Sequence, residues 1–307
     1  MKLIIVGNGF DRAHGLGTSY VEFAKYLKKN DIESWQLLKE LTDYDCEEDR
    51  WWYQFEEQLH DMKLENMADA IEQAGYDFRI RCEKEEQEYY TIEYLKIVFT
   101  PQFQKLKKTF CTWIWSINRI IDNYQNRAKD KIDSIIMEED IILNFNYTET
   151  IESLYGRECY HIHGTSFDPI FFDVDKDTYM NRIVLGHEYE NEIEDDKYED
   201  DFHDCYDSEG LVNIEREYRK IFSKKCNEII AEYPFFSVLE KEYESIDEVI
   251  VMGHSLADVD APYIKKIISI IGDSIPWQVS VYNGNDKEMI EKVKMFSPHS
   301  QVTTFSL

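Results

Sequence analysis

Positive charge is what this sequence has least of. Its 307 residues carry 34 Lys and Arg against 62 Asp and Glu, a formal net charge of −28. Phosphate-tracking proteins draw their affinity from clustered Lys and Arg that release counterions, so direct nucleic-acid binding is not expected. Docking on an anionic membrane surface is disfavoured for the same reason. Nothing in the chain approaches the ~18–20 unbroken apolar residues of a membrane span. The opening MKLIIVGNGFD carries one Lys and a five-residue apolar run, too short for a signal peptide. The expectation is a soluble, cytoplasmic protein with no membrane partner. Cysteine is also sparse, with Cys46, Cys82, Cys111, Cys159, Cys205 and Cys226 and no C-x-x-C pair. A zinc ribbon, a thioredoxin-like pair and a disulfide scaffold are thereby excluded, and reduced thiols, several of them in the core, are expected.

What is present is apolar and aromatic in quantity. An apolar content of 43% with 14% aromatics excludes wholesale disorder. The length suits one large α/β domain or two small ones. Lys2–Val6 is a short apolar run stopped by Gly7-Asn8-Gly9, which reads as a buried strand and a tight turn. Thr18 and Ser19 offer caps for a helix over Tyr20–Lys29. A strand, a turn and a helix in that order open a doubly wound sheet.

Proline and glycine are nearly missing from 30–138, where Pro101 and Gly75 are the only ones. That stretch reads as a helical insertion, with Trp51, Trp52, Phe55 and Leu59 on one apolar face and Phe103, Leu106, Phe110, Trp113 and Ile117 on another. Strands are expected at Ile141–Phe145, Tyr160–His163, Arg182–Gly186, Glu248–Met252, Gln278–Tyr282 and Gln301–Phe305, the last at an edge. Helices are expected at Thr148–Tyr155, Ile214–Glu232, Phe235–Tyr243, Pro262–Ile271 and Lys287–Phe296. Glu190–Glu209, with eleven acids and one Lys, reads as a solvated, mobile surface loop. The fold class is thus a single α/β domain over 1–307, a mostly parallel doubly wound sheet with a large helical insertion.

Doubly wound folds bind ligands in the loops after their strands. Gly7-Asn8-Gly9-Phe10-Asp11 lets the backbone approach a phosphate, although Arg12 occupies the third glycine position of the G-x-G-x-x-G fingerprint. Asn146 lies in the loop after the second strand. His161 and His163, two apart on a strand, would face the same way as a metal pair; the Gly164 that follows instead suggests one His at a loop tip. Gly253-His254-Ser255-Leu256-Ala257-Asp258 repeats the strand–glycine–helix pattern. Arg182 and His187 have the R-x4-H spacing of HEPN-type ribonucleases, but on a strand rather than a helix and in a chain of the wrong charge.

Together these segments resemble the AbiH family of phage abortive-infection proteins. The carriers are IIVGNGFDRAHGLGTSYVEF at 4–23, WWYQFEEQL at 51–59, LNFNYTETIESLYG at 143–156, YHIHGT at 160–165, IVLGH at 183–187 and VMGHSLADVDAPYI at 251–264. AbiH proteins in turn look distantly similar to sirtuin-like NAD-consuming domains, without the four-cysteine zinc module. That resemblance implies an antiphage effector that binds and hydrolyses NAD as its substrate, without a metal. Asn146 would orient ribose and water, and His163 would be the base. Gly7, Asn8, Gly9, Asp11, Gly253, Ser255, Asp258 and Asn283 would hold the nucleotide. Asn146 and His163, as loop side chains, should add little to stability. A non-catalytic nucleotide-binding sensor and a metal-dependent hydrolase remain as alternatives. A nucleotide ligand and a phage-derived trigger are the expected partners, and a homo-oligomer is compatible with the sequence.

Overall fold

The computed structural model describes residues 1–42, 54–81, 87–127, 130–166, 183–189, 193–194, 197–198, 205–282 and 284–307. The chain forms two compact units: Met1–Ser19, Thr112–Pro169 and Lys225–Leu307 make the first, and Tyr20–Cys111 with Ile170–Lys224 the second.

The first unit holds a six-stranded, all-parallel sheet. Its strands are β1 (Lys2–Val6), β2 (Ile141–Asn144), β3 (Tyr160–His161), β4 (Glu248–Met252), β5 (Trp277–Val281) and β6 (Val302–Ser306). They lie in the order β3-β2-β1-β4-β5-β6. β1 pairs on one side with β2, Ile4 opposite Ile142, and on the other with β4, Ile4 opposite Ile250. A parallel sheet covered on both faces needs strands that are apolar throughout. β1, β2 and β4 meet that need, each with four consecutive buried residues. Leu3, Ile5, Val249 and Val251 join a core with Phe235, Leu239, Tyr263, Ile264, Ile267, Met289 and Val293 from helices Pro234–Glu242, Ala261–Ile271 and Asp286–Phe296. The alternate residues Ile4, Val6, Ile250 and Met252 are equally buried on the opposite face. β6, half-exposed, is the edge expected of it.

Among the described residues, the regular elements of the second unit are helices, apart from one isolated bridge between His187 and Ser223. The helices expected in 30–138 are there among the described residues, including Ile32–Glu40, Phe55–His60, Ala68–Arg81 and the 32-residue Gln87–Asn118, which has Pro101 inside it and of which 87–111 belongs to this unit. Phe55, Leu59, Phe103, Leu106 and Phe110 are buried as their spacing indicated. Trp51 and Trp52 lie outside the described residues. Lys224, only 1% exposed, pairs with Glu56.

Three sequence expectations are corrected. Ile183–Gly186 is not a strand: Gly186 has φ 124° with the Phe222 carbonyl where a Cβ would stand, and only His187 makes a bridge, to Ser223. Arg182 lies outside the described residues. Ile214–Glu232 is two helices, Cys205–Ile221 and Cys226–Glu232. Most of Glu190–Glu209 lies outside the described residues, but Tyr198 is buried and donates to Glu215, which also pairs with Lys197 and Arg219. An acid-rich composition hid that anchor. Cys111, Cys159 and Cys226 are free thiols, as expected of them.

Candidate functional site

The order β3-β2-β1-β4-β5-β6 reverses direction between β1 and β4, and doubly wound folds take ligands at that switch point, beyond the carboxyl ends of the strands. The loops after β1, β2, β3 and β4 all leave that end.

After β1 the chain turns at Gly7 alone. Asn8–Ala13 is already a helix, where the sequence suggested a longer turn before Tyr20. Asn8 and Gly9 are weak helix formers, so the helix rests on packing, with Phe10 and Asp11 fully buried. The two glycines give space to the neighbouring loop. A Cβ on Gly7 would lie 2.5 Å from the Cα of His254, and one on Gly9 would lie 2.8 Å from the Cα of Gly253. Gly253, at φ 71°, is closed in from the other side, 2.0 Å separating its Cβ position from the Phe10 nitrogen. The Gly7 and Gly9 amides donate to Met252 O and Gly253 O. Exposed Asn8 donates its amide to Thr18 O at 3.0 Å and accepts from the Thr18 hydroxyl.

Asn146 closes the other side of the turn. Its Nδ2 donates to Gly7 O at 3.1 Å, and its own amide donates to Asn144 Oδ1 at 2.9 Å. Beneath it, Asp11 accepts from the Thr148 hydroxyl, while its Oδ1 is buried without a hydrogen-bond partner. Burial raises the Asp11 carboxyl to about 6, against the pull of Thr148, Thr150 and Asn146.

The histidines divide. β3 ends at His161 and Gly164 adopts φ 76°, so His161 and His163 are not held side by side as a strand pair would be. The metal pair that depended on such a strand is thereby corrected. His161 turns to Glu152, and His163 to Asp260. The Asp260 carboxylate lies between two imidazoles, 3.5 Å from His163 Nε2 and 3.2 Å from His254 Nε2. His254 Nδ1 accepts the Leu256 amide at 3.0 Å, which leaves the proton on Nε2, facing Asp260. Leu256 itself sits at φ 51°, a region that branched side chains rarely enter and that clusters at functional sites. Asp260 is the N-cap residue of helix Ala261–Ile271, yet its side chain makes no capping bond. Phe145 lies tilted against His254 at 4.2 Å between centroids and meets His163 edge-on at 5.4 Å.

The structure therefore brings Asn146, Gly7, Gly9, Gly253, His254, Asp260 and His163 together around the switch point. Asn8, Ser255 and Asp258 are exposed on the following turns, and Asn283 lies outside the described residues. Sequence reasoning missed Asp260 as the partner shared by His163 and His254. The available signal was an Asp directly ahead of Ala-Pro, which reads as an ordinary helix cap. Asn146 and His163 are 6% and 3% exposed, so the premise that they are open loop side chains does not hold. A surface groove of 240 Å³ lined by Glu33, Leu37, Glu40, Gln102 and Lys105 includes none of the expected site residues.

Fold and site define an α/β protein of the doubly wound class, with histidine, asparagine and buried carboxylates gathered at the switch point. The chain belongs to the AbiH family, described as Bacteriophage abortive infection AbiH, whose sequence profile matches residues 3–281. Membership implies a role in phage abortive infection. No curated protein matches the chain. Among the described residues, no helix is long and apolar enough to cross a membrane.

Proposed function

We propose that this switch-point cluster binds a nicotinamide dinucleotide and hydrolyses its nicotinamide–ribose bond. The observation that carries the reading is the Asp260 carboxylate set between His163 and His254, one loop away from the Gly7 turn to which Asn146 is tied. An imidazole backed by a carboxylate is a competent base near neutral pH. In the reaction, the electron pair of the C1′–N bond passes to the pyridinium nitrogen, and nicotinamide leaves neutral. A water oxygen bonds to C1′ of the oxocarbenium-like ribose, and His163 takes the proton that water gives up. Asp260 balances the resulting imidazolium. Asn146 orients the ribose and water, and Asp11 adds negative potential behind them. Exposed Asn8, Ser255 and Asp258 hold the dinucleotide, while Gly7, Gly9 and Gly253 pack the two loops that carry them against each other. With Asn146 and His163 so little exposed, a ligand reaches them only after part of their cover moves. An abortive-infection effector has to be silent before infection, and a closed resting site meets that requirement.

One observation favours a second reading, binding without turnover. Asn146 Nδ2 is already engaged with Gly7 O, an internal tie that a sensor would keep. The test measures nicotinamide released from NAD by the wild type and by Asn146→Ala, His163→Gln, Asp260→Asn and the control His161→Ala, each with its melting curve. Losses of ~10²–10⁴-fold are expected in the folded Asn146 and His163 variants, and a smaller loss in the control. Full activity in folded His163→Gln overturns the assignment. NAD-dependent thermal stabilisation without release, even with infected-cell extract, favours the sensor.

A further inference from the structure

The sequence alone points to no metal, and its only metal candidate paired the two histidines. The fold assembles a different set. Glu152 from helix Thr150–Tyr155, Cys159 from the loop beyond it and His161 from β3 form a closed triangle. Cys159 Sγ donates to Glu152 Oε1 at 2.8 Å, His161 Nε2 lies 2.8 Å from the same oxygen, and sulfur and nitrogen are 3.3 Å apart. One ion can reach all three atoms from a single point.

Each ligand is also aimed. His161 Nδ1 donates to the Asn146 carbonyl at 3.0 Å, which fixes the ring and turns Nε2 into the triangle. Metal-binding histidines are oriented by this kind of bond from the other ring nitrogen. The Asn144 amide reaches Cys159 Sγ at 3.7 Å, and Tyr233 holds the His161 carbonyl at 2.8 Å. Glu152 Oε2 is buried with no hydrogen-bond partner, an acceptor that a cation would satisfy. Glu152 and His161 side chains are 31% and 11% exposed, so an ion has a route in past the carboxylate.

We propose that Glu152, Cys159 and His161 bind a zinc-class divalent cation, with water in the fourth position. Thiolate with imidazole selects zinc over magnesium or calcium, which take oxygen ligands. Without the ion, the carboxylate and imidazole form an ion pair, and burial and Glu152 hold the Cys159 proton on. On binding, the Cys159 sulfur–hydrogen bond and the His161 Nε2–hydrogen bond both break, their electron pairs go to the metal, and two protons leave to solvent; no redox change occurs. The ion would clamp β3 to the helix that follows β2. It takes no part in the proposed cleavage of NAD, and the two proposals stand or fall separately.

The test uses purified full-length chain without a histidine tag, stripped with chelator and titrated with Co²⁺ in the absence of any nucleotide. One Co²⁺ per chain is expected, with tetrahedral d–d absorption, a near-ultraviolet thiolate charge-transfer band and proton release. Cys159→Ser should abolish the charge-transfer band, and Glu152→Gln and His161→Ala should weaken binding by more than the ~10–100-fold that outer-sphere changes cause. Zn²⁺ should displace Co²⁺, and Mg²⁺ should not. The absence of a charge-transfer band in folded wild type, or a band that survives Cys159→Ser, overturns the site.

Discussion

Asp11 sets the largest test of the electrostatics. It is completely buried, accepts from Thr148, and titrates at about 6 rather than the ordinary 3.8. A carboxyl raised by folding is ionised more readily in the unfolded chain. Its destabilising contribution is therefore absent below about pH 4, grows as pH rises to about 6, and is complete above. The difference between 3.8 and about 6 corresponds to about 3 kcal/mol at 1.36 kcal/mol per pH unit. Asp11→Asn keeps an oxygen for Thr148 and removes the titration. Urea unfolding should give the variant an advantage of roughly 1–3 kcal/mol at pH 7, shrinking towards zero near pH 4. It should also lower NAD turnover, if Asp11 contributes potential to the ribose. An advantage of the same size at every pH, or a loss of stability at pH 7, would refute the reasoning.

Gly253→Ala should lower stability by more than ~3 kcal/mol, because its Cβ would stand 2.0 Å from the Phe10 nitrogen at φ 71°. Gly272→Ala, at φ 85° and ψ 171° with open space around it, should lose ~1–3 kcal/mol from backbone strain alone, and chemical denaturation of the pair separates collision from backbone strain. Burial lowers the Lys107 ammonium to about 8, so its destabilising effect is full below that pH and disappears towards 10.5. The stability difference between Lys107→Met and wild type should move against the variant by about 3 kcal/mol over that range, and a constant difference counts against it. Burial works against the charge on His161, but Glu152 outweighs it and holds the imidazole above its usual value. In Glu152→Gln, the NMR titration midpoint of His161 should fall; an unchanged midpoint means that the pair is not formed.

Legibility followed from where a residue's constraint lies. β1 and β4 were readable to the residue, because a doubly covered parallel strand must be apolar throughout and a glycine ends each one. Helix Asn8–Ala13 was not, because Gly9 and Asn8 argue against helix locally and Phe10 and Asp11 hold it through packing. Asn146 and His163 were found by position, after successive strands. Their partners were not, since Asp260 meets His163 and His254 across loops that only the completed sheet brings together. Cys159-x-His161 carried a readable spacing, but the third ligand, Glu152, comes from a helix whose face the sequence does not announce.

The pairing of β1 with strands from distant parts of the chain has a consequence for biogenesis. β1 sits between Ile141–Asn144 and Glu248–Met252, and 248 − 2 = 246 residues separate its start from that of β4. At ~5–20 residues per second, a ribosome needs roughly 12–50 s to supply the second neighbour. Until then the central strand has one open edge, and Gly7 and Gly9 lack the loop that fills their missing side chains. A nascent chain that stalls before Asp260 lacks the carboxylate that joins the two histidines. Copies that end before β4 therefore cannot assemble the contacts among Gly7, His254 and Asp260.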